Sequence, residues 1–415
     1  MKGVLVILDG MGDLPLRQLN EKTPLEVAEM PNLDFLATRG ETGLMYPVKP
    51  GFVPESDEAI VSIFGNNQID STRGQLEARG ADLKLMRGDL AFRVNFATVD
   101  SLEEGHIVDR RVGRTLTTEE AEELSKALNK INMSVKFVFK PTIQHRAALV
   151  FKGGFSDNIS GNDSTYNQGR SMPSEKVGYC KPLDEDENSQ YSANIANEFI
   201  EKAYEVLDRH PVNQERRKRG LLSANYLMIR GAGIEVPKLK IYRRWAAVAY
   251  MPLEIGFSKL SGMSVHSFDY PKLKGLDAYE NLYDGLEEAC EFSIKTINKL
   301  KKDKSTDYVY VHIKETDLPG HDNKPIEKKM MFEYIDKTLF KFLRKFAPPN
   351  NIKVAVTGDH STPCKLKGHS ADPVPFLVYN NSELKEKHFS EKEASQGKMG
   401  KILGNEFLRK IGFDK

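Results

Sequence analysis

Short runs of almost unbroken apolar residues, spaced by stretches of helical period, constrain this chain more than any other feature. The runs are Gly3–Leu8, Tyr226–Ile229, Ala246–Met251, Tyr308–Ile313, Ile352–Thr357 and Val374–Tyr379. A strand apolar at every position is buried on both faces, the condition of a parallel sheet covered by helices. The intervening segments supply those helices. In "NIANEFIEKAYEVLDRH", Ile195, Phe199, Ala203 and Val206 fall on one face. The charged segment Ala278–Leu300 is anchored by Leu282, Leu286 and Phe292. Pro325 opens a further helix that presents Phe332, Ile335, Leu339 and Phe342. Strand alternating with helix predicts an α/β fold with a mostly parallel sheet flanked by helices.

At 415 residues the chain exceeds one simple core. From about Phe92 to Lys181 the alternation breaks. "FRVNFATVD", "HIVDRR", "VKFVFK" and "RAALVFK" read as short strands, and "TTEEAEELSKALNKI" as one helix opened by a Thr117/Glu120 capping box. The polar run "SDNISGNDSTYNQGRSMPSEK" reads as a long loop. The expected organisation is therefore a core built from 1–90 and 190–415, with residues 91–189 inserted as a smaller α+β domain.

The formal charge of +1 gives no overall electrostatic case for nucleic acid. The basic clusters Arg216–Arg219 and Lys299–Lys304 read as solvated helix ends or loops. No apolar run approaches the roughly 18 residues that cross a bilayer. The apolar stretch Val4–Leu8 is ended by Asp9, and reads as a buried strand rather than a signal peptide. Three widely spaced cysteines, Cys180, Cys290 and Cys364, argue against a disulfide framework and for a reducing cytoplasm.

Chemistry concentrates where apolar runs end. Asp9 follows the first run. Asp317 and His321 follow "YVYVHI". Asp359 and His360 follow "IKVAVT", and His369 lies in the next loop, within "VAVTGDHSTPCKLKGHSADPVP". Loops at strand ends can aim several side chains at one point. Carboxylates mixed with imidazoles suit manganese, zinc or cobalt, whereas calcium takes oxygen alone. Taken singly, D-x-x-x-H and Asp-His are ordinary surface pairs or caps. Three strand ends that each deliver such donors read either as a metal site or as coincident surface pairs. Ser56, before the helical pattern Ala59–Phe64, reads either as an ordinary N-cap or as a nucleophile at a phosphate-binding helix N-terminus. Cys364 reads as a small buried apolar residue.

These stretches, together with "KGVLVILDGMGD", "KTPLEVAEMPNLDFLA", "ESDEAIVSIFG", "DRRVGR", "HPVNQERRKRG", "NYLMIRGAG" and "TDLPGHDNKP", resemble the archaeal-type cofactor-independent phosphoglycerate mutases of the alkaline phosphatase superfamily. The likeness runs from the first residues past residue 375. It implies an alkaline-phosphatase-like core with an inserted substrate-binding cap. It also implies exchange of 3-phosphoglycerate and 2-phosphoglycerate, a step of glycolysis and gluconeogenesis, without 2,3-bisphosphoglycerate. Ser56 would be the transiently phosphorylated nucleophile. Two divalent ions are implied, manganese foremost, with zinc, cobalt or magnesium as alternatives. One ion would lie with Asp317, His321 and His369, the other with Asp9, Asp359, His360 and the Ser56 oxygen. Candidates for holding substrate phosphate and carboxylate are Arg93, Arg110, Arg111, Arg114, His145, Arg146 and Arg230, since arginine binds such groups bidentately. The implied partner is the small-molecule phosphoglycerate, with neither nucleic acid nor membrane. A homo-oligomer stays open.

The sequence departs from the family pattern in places. Where the family usually reads Gly-Ser-Asp-Thr-Ala, this chain has Glu55-Ser56-Asp57-Glu58-Ala59. Two family lysines are replaced by Trp245 and Ile255, and the stretches "GNDSTY" and "ASQGKMGKILG" also differ. All seven metal-ligand positions survive. The alternatives are a phosphatase or other phosphotransferase of the same superfamily, and a catalytically silent binding protein.

Overall fold

The computed structural model describes residues 1–67, 73–163, 175–382 and 388–414. In chain order its strands are β1 (Gly3–Leu8), β2 (Gly40–Tyr46), β3 (Leu90–Val99), β4 (Ile107–Asp109), β5 (Phe137–Pro141), β6 (Arg146–Phe151) and β7 (Tyr226–Gly233). They continue with β8 (Trp245–Val248), β9 (Ser264–His266), β10 (Tyr308–Ile313), β11 (Lys353–Gly358), β12 (Val374–Tyr379) and β13 (Lys401–Leu403). Eight of them form one sheet in the order β13-β2-β12-β11-β1-β10-β8-β9. The run from β11 to β9 is parallel.

Successive side chains of a strand face opposite ways, and both faces are covered. Val4, Val6 and Leu8 of β1 pack with Leu286, Phe332 and Leu343, while Leu5 and Ile7 pack with Ile60, Phe257 and Phe407. The helix Ser56–Ile63 is pinned by Phe64 at its end. The Phe64 ring meets Tyr242, Trp245, Phe257 and Tyr310 at centroid distances of 5.0–5.5 Å. Aromatic pairs of this kind contribute about 0.5–1.5 kcal/mol each beyond area burial, so the far end of the helix is held in place. No helix of the described residues is long and apolar enough to cross a membrane.

The second sheet is antiparallel, in the order β4-β3-β6-β5, with β7 on the other edge of β3. Its core joins Phe92, Phe96, Phe139 and Phe151 to Leu124 and Phe199 of the covering helices. The predicted capping box is present: Glu120 N–H donates to Thr117 Oγ1 at 3.1 Å, and Thr117 N–H donates to Glu120 Oε2 at 3.0 Å. The helices Ala278–Leu300 and Pro325–Ile335 form where the sequence places them.

Three expectations are corrected. Tyr226–Ile229, expected in the parallel sheet, lies in β7 against β3. Val374–Tyr379 does join the large sheet, but antiparallel to both neighbours. An apolar run reports burial on two faces but carries no information on partner or direction. Arg216 is not solvated. It is buried and donates to Leu222 O, Thr115 O and Oγ1, and Glu120 Oε2. β7 pairs with β3 in the second sheet, and the helix Glu187–Asp208 packs into the same core. Of the polar run after Phe155, residues 164–174 lie outside the described residues, and so does the end of "GNDSTY".

A buried lysine ties the loops that leave the large sheet. Lys328 is fully buried, and its ammonium donates to Gly12 O at 3.2 Å, Asp13 Oδ2 at 2.9 Å and Thr362 O at 3.0 Å. All three donors are used. Lys328→Met is expected to destabilise the fold by about 3–5 kcal/mol, because it strands the buried Asp13 carboxylate. A denaturant midpoint indistinguishable from wild type would contradict this.

Candidate active site

The register of the three central strands explains the site. Leu8 stands opposite Ile313 on one side and Gly358 on the other. The residues that follow β1, β10 and β11 therefore emerge together at one carboxyl edge, where open α/β sheets bind ligands. Asp9, Lys314–Asp317 and Asp359–His360 are those residues. Gly10 turns away from Asp9 with φ of 61°. A Cβ there would stand 2.6 Å from both Asp317 Oδ1 and Thr362 Oγ1, so the approach of the two loops requires glycine.

The imidazoles share one orientation. His321 Nδ1 lies 3.2 Å from Lys367 O, and His369 Nδ1 lies 2.9 Å from Pro54 O. A carbonyl only accepts, so each Nδ1 carries the hydrogen and each Nε2 presents its lone pair. His321 Nε2 is 3.2 Å from Asp317 Oδ2, and His369 Nε2 is 3.8 Å from Asp317 Oδ1. His360 repeats the pattern through a hydroxyl. Thr362 Oγ1 donates to Asp317 Oδ1 at 2.7 Å, so at 3.0 Å it accepts from His360 Nδ1. His360 Nε2 then faces Asp9 Oδ1 at 3.1 Å, Ser56 Oγ at 3.3 Å and Asp359 Oδ2 at 3.5 Å. Imidazoles whose outer nitrogen is fixed by an acceptor while the inner one meets carboxylates are oriented as metal-ligating histidines are.

The seven sequence candidates for metal binding thus gather around one point. Two groups bring their donor atoms within 4.8 Å of one another: Asp317, His360 and His369, and Asp9, His312 and Asp359. Sequence reasoning missed His312, which lies inside the apolar run of β10. Its Nδ1 is 2.7 Å from Tyr310 Oη, and its Nε2 is 3.6 Å from Asp359 Oδ2. Asp9 Oδ1, Asp359 Oδ2 and His312 Nε2 are all buried without a hydrogen bond. Orphaned polar atoms are costly in a protein interior, and three converging ones fit a cation. The mixed oxygen and nitrogen donors fit a divalent transition ion.

The crowding of these groups shifts their titration. Burial, then the neighbouring Asp9, pushes the Asp359 carboxyl up to about 7. Burial opposes charge on His360, but Asp359 and Asp9 prevail and raise it to about 9. Burial and the nearby His360 push His369 down to about 4. Burial would raise Asp9, yet Lys314 and His360 hold its carboxyl below the usual range. Lys314 bridges Asp9 Oδ2 and Glu254 Oε1, the latter at 2.8 Å. It is a second residue that the sequence reading did not single out.

Ser56 is not an N-cap. It is the first residue of its helix, Glu55 is the cap, and the Ser56 hydroxyl is 3.3 Å from His360. It opens into a cavity of about 80 Å³ lined by Arg73, Arg93, Arg111, Arg146 and Arg230, with His321, His369, Asp9 and Asp317. An adjoining cavity of about 130 Å³ takes in Arg93, Arg111, Arg114, His145 and Arg146. Both lie where the two sheets face each other. Arg93 pairs with Glu77 at 3.2 Å, and Arg230 with Glu55 at 3.2 Å. Arg114 makes a two-pronged ion pair with Asp322, at 2.6 and 2.8 Å, next to His321. Arg146 NH1 lies 3.1 Å from Met251 Sδ. Burial, and then Arg146, hold His145 well below its ordinary value and keep it neutral. Arg110 is not brought to either cavity; it pairs with Asp163. Arg73 was not foreseen. It is buried against Asp57 at 3.0 Å and Glu55 at 3.1 Å, and its only sequence signal is an i,i+4 pairing with Glu77. Trp245 lies in the aromatic cluster around Phe64 and Ile255 packs against the core beside it, so neither substitution removes charge from the cavities.

A parallel α/β sheet whose carboxyl edge carries paired carboxylates and imidazoles defines a metalloenzyme, and residues 281–415 match the family model described as "Metalloenzyme superfamily". Residues 37–213 match the model described as "2,3-bisphosphoglycerate-independent phosphoglycerate mutase". A relative of that name from Pyrococcus furiosus is 42% identical, the match covering 98% of this chain and 95% of the relative. Another, from Archaeoglobus fulgidus, is 36% identical over 98% of this chain and 96% of its own. Among solved structures, a Pyrococcus horikoshii protein superposes with a TM-score of 0.74 at 30% identity, covering 100% of this chain and 98% of that one. The cofactor-independent phosphoglycerate mutase from Thermoplasma acidophilum gives 0.56 at 29% identity, covering 99% and 98%. The chain belongs to the 2,3-bisphosphoglycerate-independent phosphoglycerate mutase family.

Proposed function

We propose that the protein interconverts 3-phosphoglycerate and 2-phosphoglycerate through a phosphorylated Ser56, independently of 2,3-bisphosphoglycerate. The observation that carries this is the Ser56 hydroxyl, 3.3 Å from His360 Nε2, opening into a cavity lined by five arginines. Asp317, His321 and His369 on one side, and Asp9, Asp359, His360 and Ser56 on the other, would hold two divalent ions, manganese foremost, with His312 beside the second set. Such ions lower the pKa of a bound hydroxyl and neutralise charge on a phosphoryl group in flight.

The chain's own groups do the rest. Ser56 Oγ attacks phosphorus in line as the bond from phosphorus to the substrate's 3-oxygen breaks, and that oxygen takes up the proton the serine gives up. The glycerate stays, held by its carboxylate on arginines of the adjoining cavity. Its 2-oxygen then attacks phosphorus, and Ser56 leaves with the proton from the 2-hydroxyl. Arg93, Arg111, Arg146 and Arg230 line the cavity from the second sheet, and we assign that sheet and its helices, residues 90–233, as the cap. By covering Ser56, the cap keeps water from the phosphoserine.

Incubating metal-loaded protein with 3-phosphoglycerate and following phosphorus NMR is expected to show 2-phosphoglycerate without added 2,3-bisphosphoglycerate and with little free phosphate. Predominant release of inorganic phosphate would reject the mutase reading in favour of a phosphatase.

A further inference from the structure

Beside Ser56 stands a carboxylate that the reaction above does not use. Glu55 Oε2 is 3.1 Å from Arg73 NH1 and 3.2 Å from Arg230 NH1, and Glu55 Oε1 is 3.7 Å from His369 Nδ1. The residue lines the same cavity as Ser56. An anion thus already sits on two guanidinium groups, one residue from the proposed phosphoryl acceptor. Phosphate favours such planar bidentate donors. Arg73 does not need Glu55 to stay in place, because Asp57 at 3.0 Å and Glu77 at 3.6 Å also hold it.

We propose that Glu55 is the resting occupant of the phosphate cradle and sets its selectivity, holding Arg73 and Arg230 until a ligand that carries a phosphate and a second anionic group displaces it. The reasoning is competitive. Inorganic phosphate must break both ion pairs with nothing but its own contacts to offset them. A phosphoglycerate brings a carboxylate as well, which finds Arg111 and Arg146 in the adjoining cavity. The internal carboxylate therefore discriminates against free phosphate and other one-ended phosphates. It also returns to the cradle when the product leaves. This rests on the reading of Ser56 as phosphoryl acceptor.

The test is calorimetric titration of the metal-loaded full chain with inorganic phosphate, wild type against Glu55→Gln. The amide keeps the shape and removes the charge. Phosphate is expected to bind the variant about tenfold more tightly, and to inhibit 3-phosphoglycerate turnover correspondingly more strongly. An unchanged or weakened affinity would overturn the proposal, since a merely structural Glu55 would loosen the cradle when replaced. Glu55→Gly is the second variant, because glycine is tolerated at a helix N-cap; it is expected to tighten phosphate binding in the same sense, and failure to do so counts equally against the proposal. The titration needs no turnover. Tighter phosphate binding in a protein that does not isomerise 3-phosphoglycerate would reject the mutase function and leave the competition standing. Active isomerisation with unchanged phosphate affinity would do the reverse.

Discussion

Ser56→Ala is expected to reduce turnover of 3-phosphoglycerate by a factor on the order of 10⁴–10⁶, the range seen when the nucleophile of a covalent mechanism is removed. The fold is expected to survive. Ser56 is the first residue of a helix whose far end is locked by the Phe64 cluster, and alanine is the best helix former. The lost group is a single buried hydroxyl, hydrogen-bonded among the described residues to His360. Initial rates measure the loss. Acid quenching followed by peptide mass spectrometry identifies its cause: wild type should show phosphate on the peptide containing Ser56, and the variant should show none. Turnover within tenfold of wild type would rule out the covalent route through this residue.

Asp359→Asn is expected to be nearly as damaging to activity and to act in the opposite sense on the stability of the metal-free protein. Asp359 Oδ1 accepts from Gly10 N–H at 3.0 Å and from His360 N–H at 2.9 Å, contacts that asparagine can keep. The other oxygen is buried without a hydrogen bond, and Asp9 and His360 crowd around it. Removing that charge relieves repulsion with Asp9 when no cation is present, so the metal-free variant should melt at a higher temperature than metal-free wild type. Added manganese should then stabilise wild type strongly and the variant weakly, because a ligand that binds only the folded state stabilises in proportion to its affinity. Equal manganese-dependent shifts in the two proteins would show that Asp359 is not a ligand.

The strand ends were legible because two constraints coincide there. The apolar runs before Asp9 and Asp359 demand burial, and an acid directly after such a run is too costly to keep inside without a partner. Parallel register then does the assembly, bringing three distant loops to one edge. His312 was hidden by the same logic: inside "YVYVHI" it reads as one more strand residue, and only its contact with Asp359 sets it apart. Arg73 was illegible because an i,i+4 pairing with Glu77 is ordinary on any helix, while its place at the cavity depends on Asp57 and Glu55, 16 and 18 residues away. The place of Tyr226–Ile229 was misjudged for a related reason. The run in β7 predicts burial, but its pairing with β3 is a contact across more than a hundred residues that no local pattern encodes.

In the proposed site, distant loops cage two cations beside one hydroxyl. Electron paramagnetic resonance of the protein dialysed against manganese tests this most directly. Ions about 3.5–4 Å apart, as in two-metal phosphoryl-transfer sites, interact magnetically. Two manganese ions per chain with a spin-coupled spectrum are expected. A single ion per chain, or two with isolated six-line signals, would contradict it.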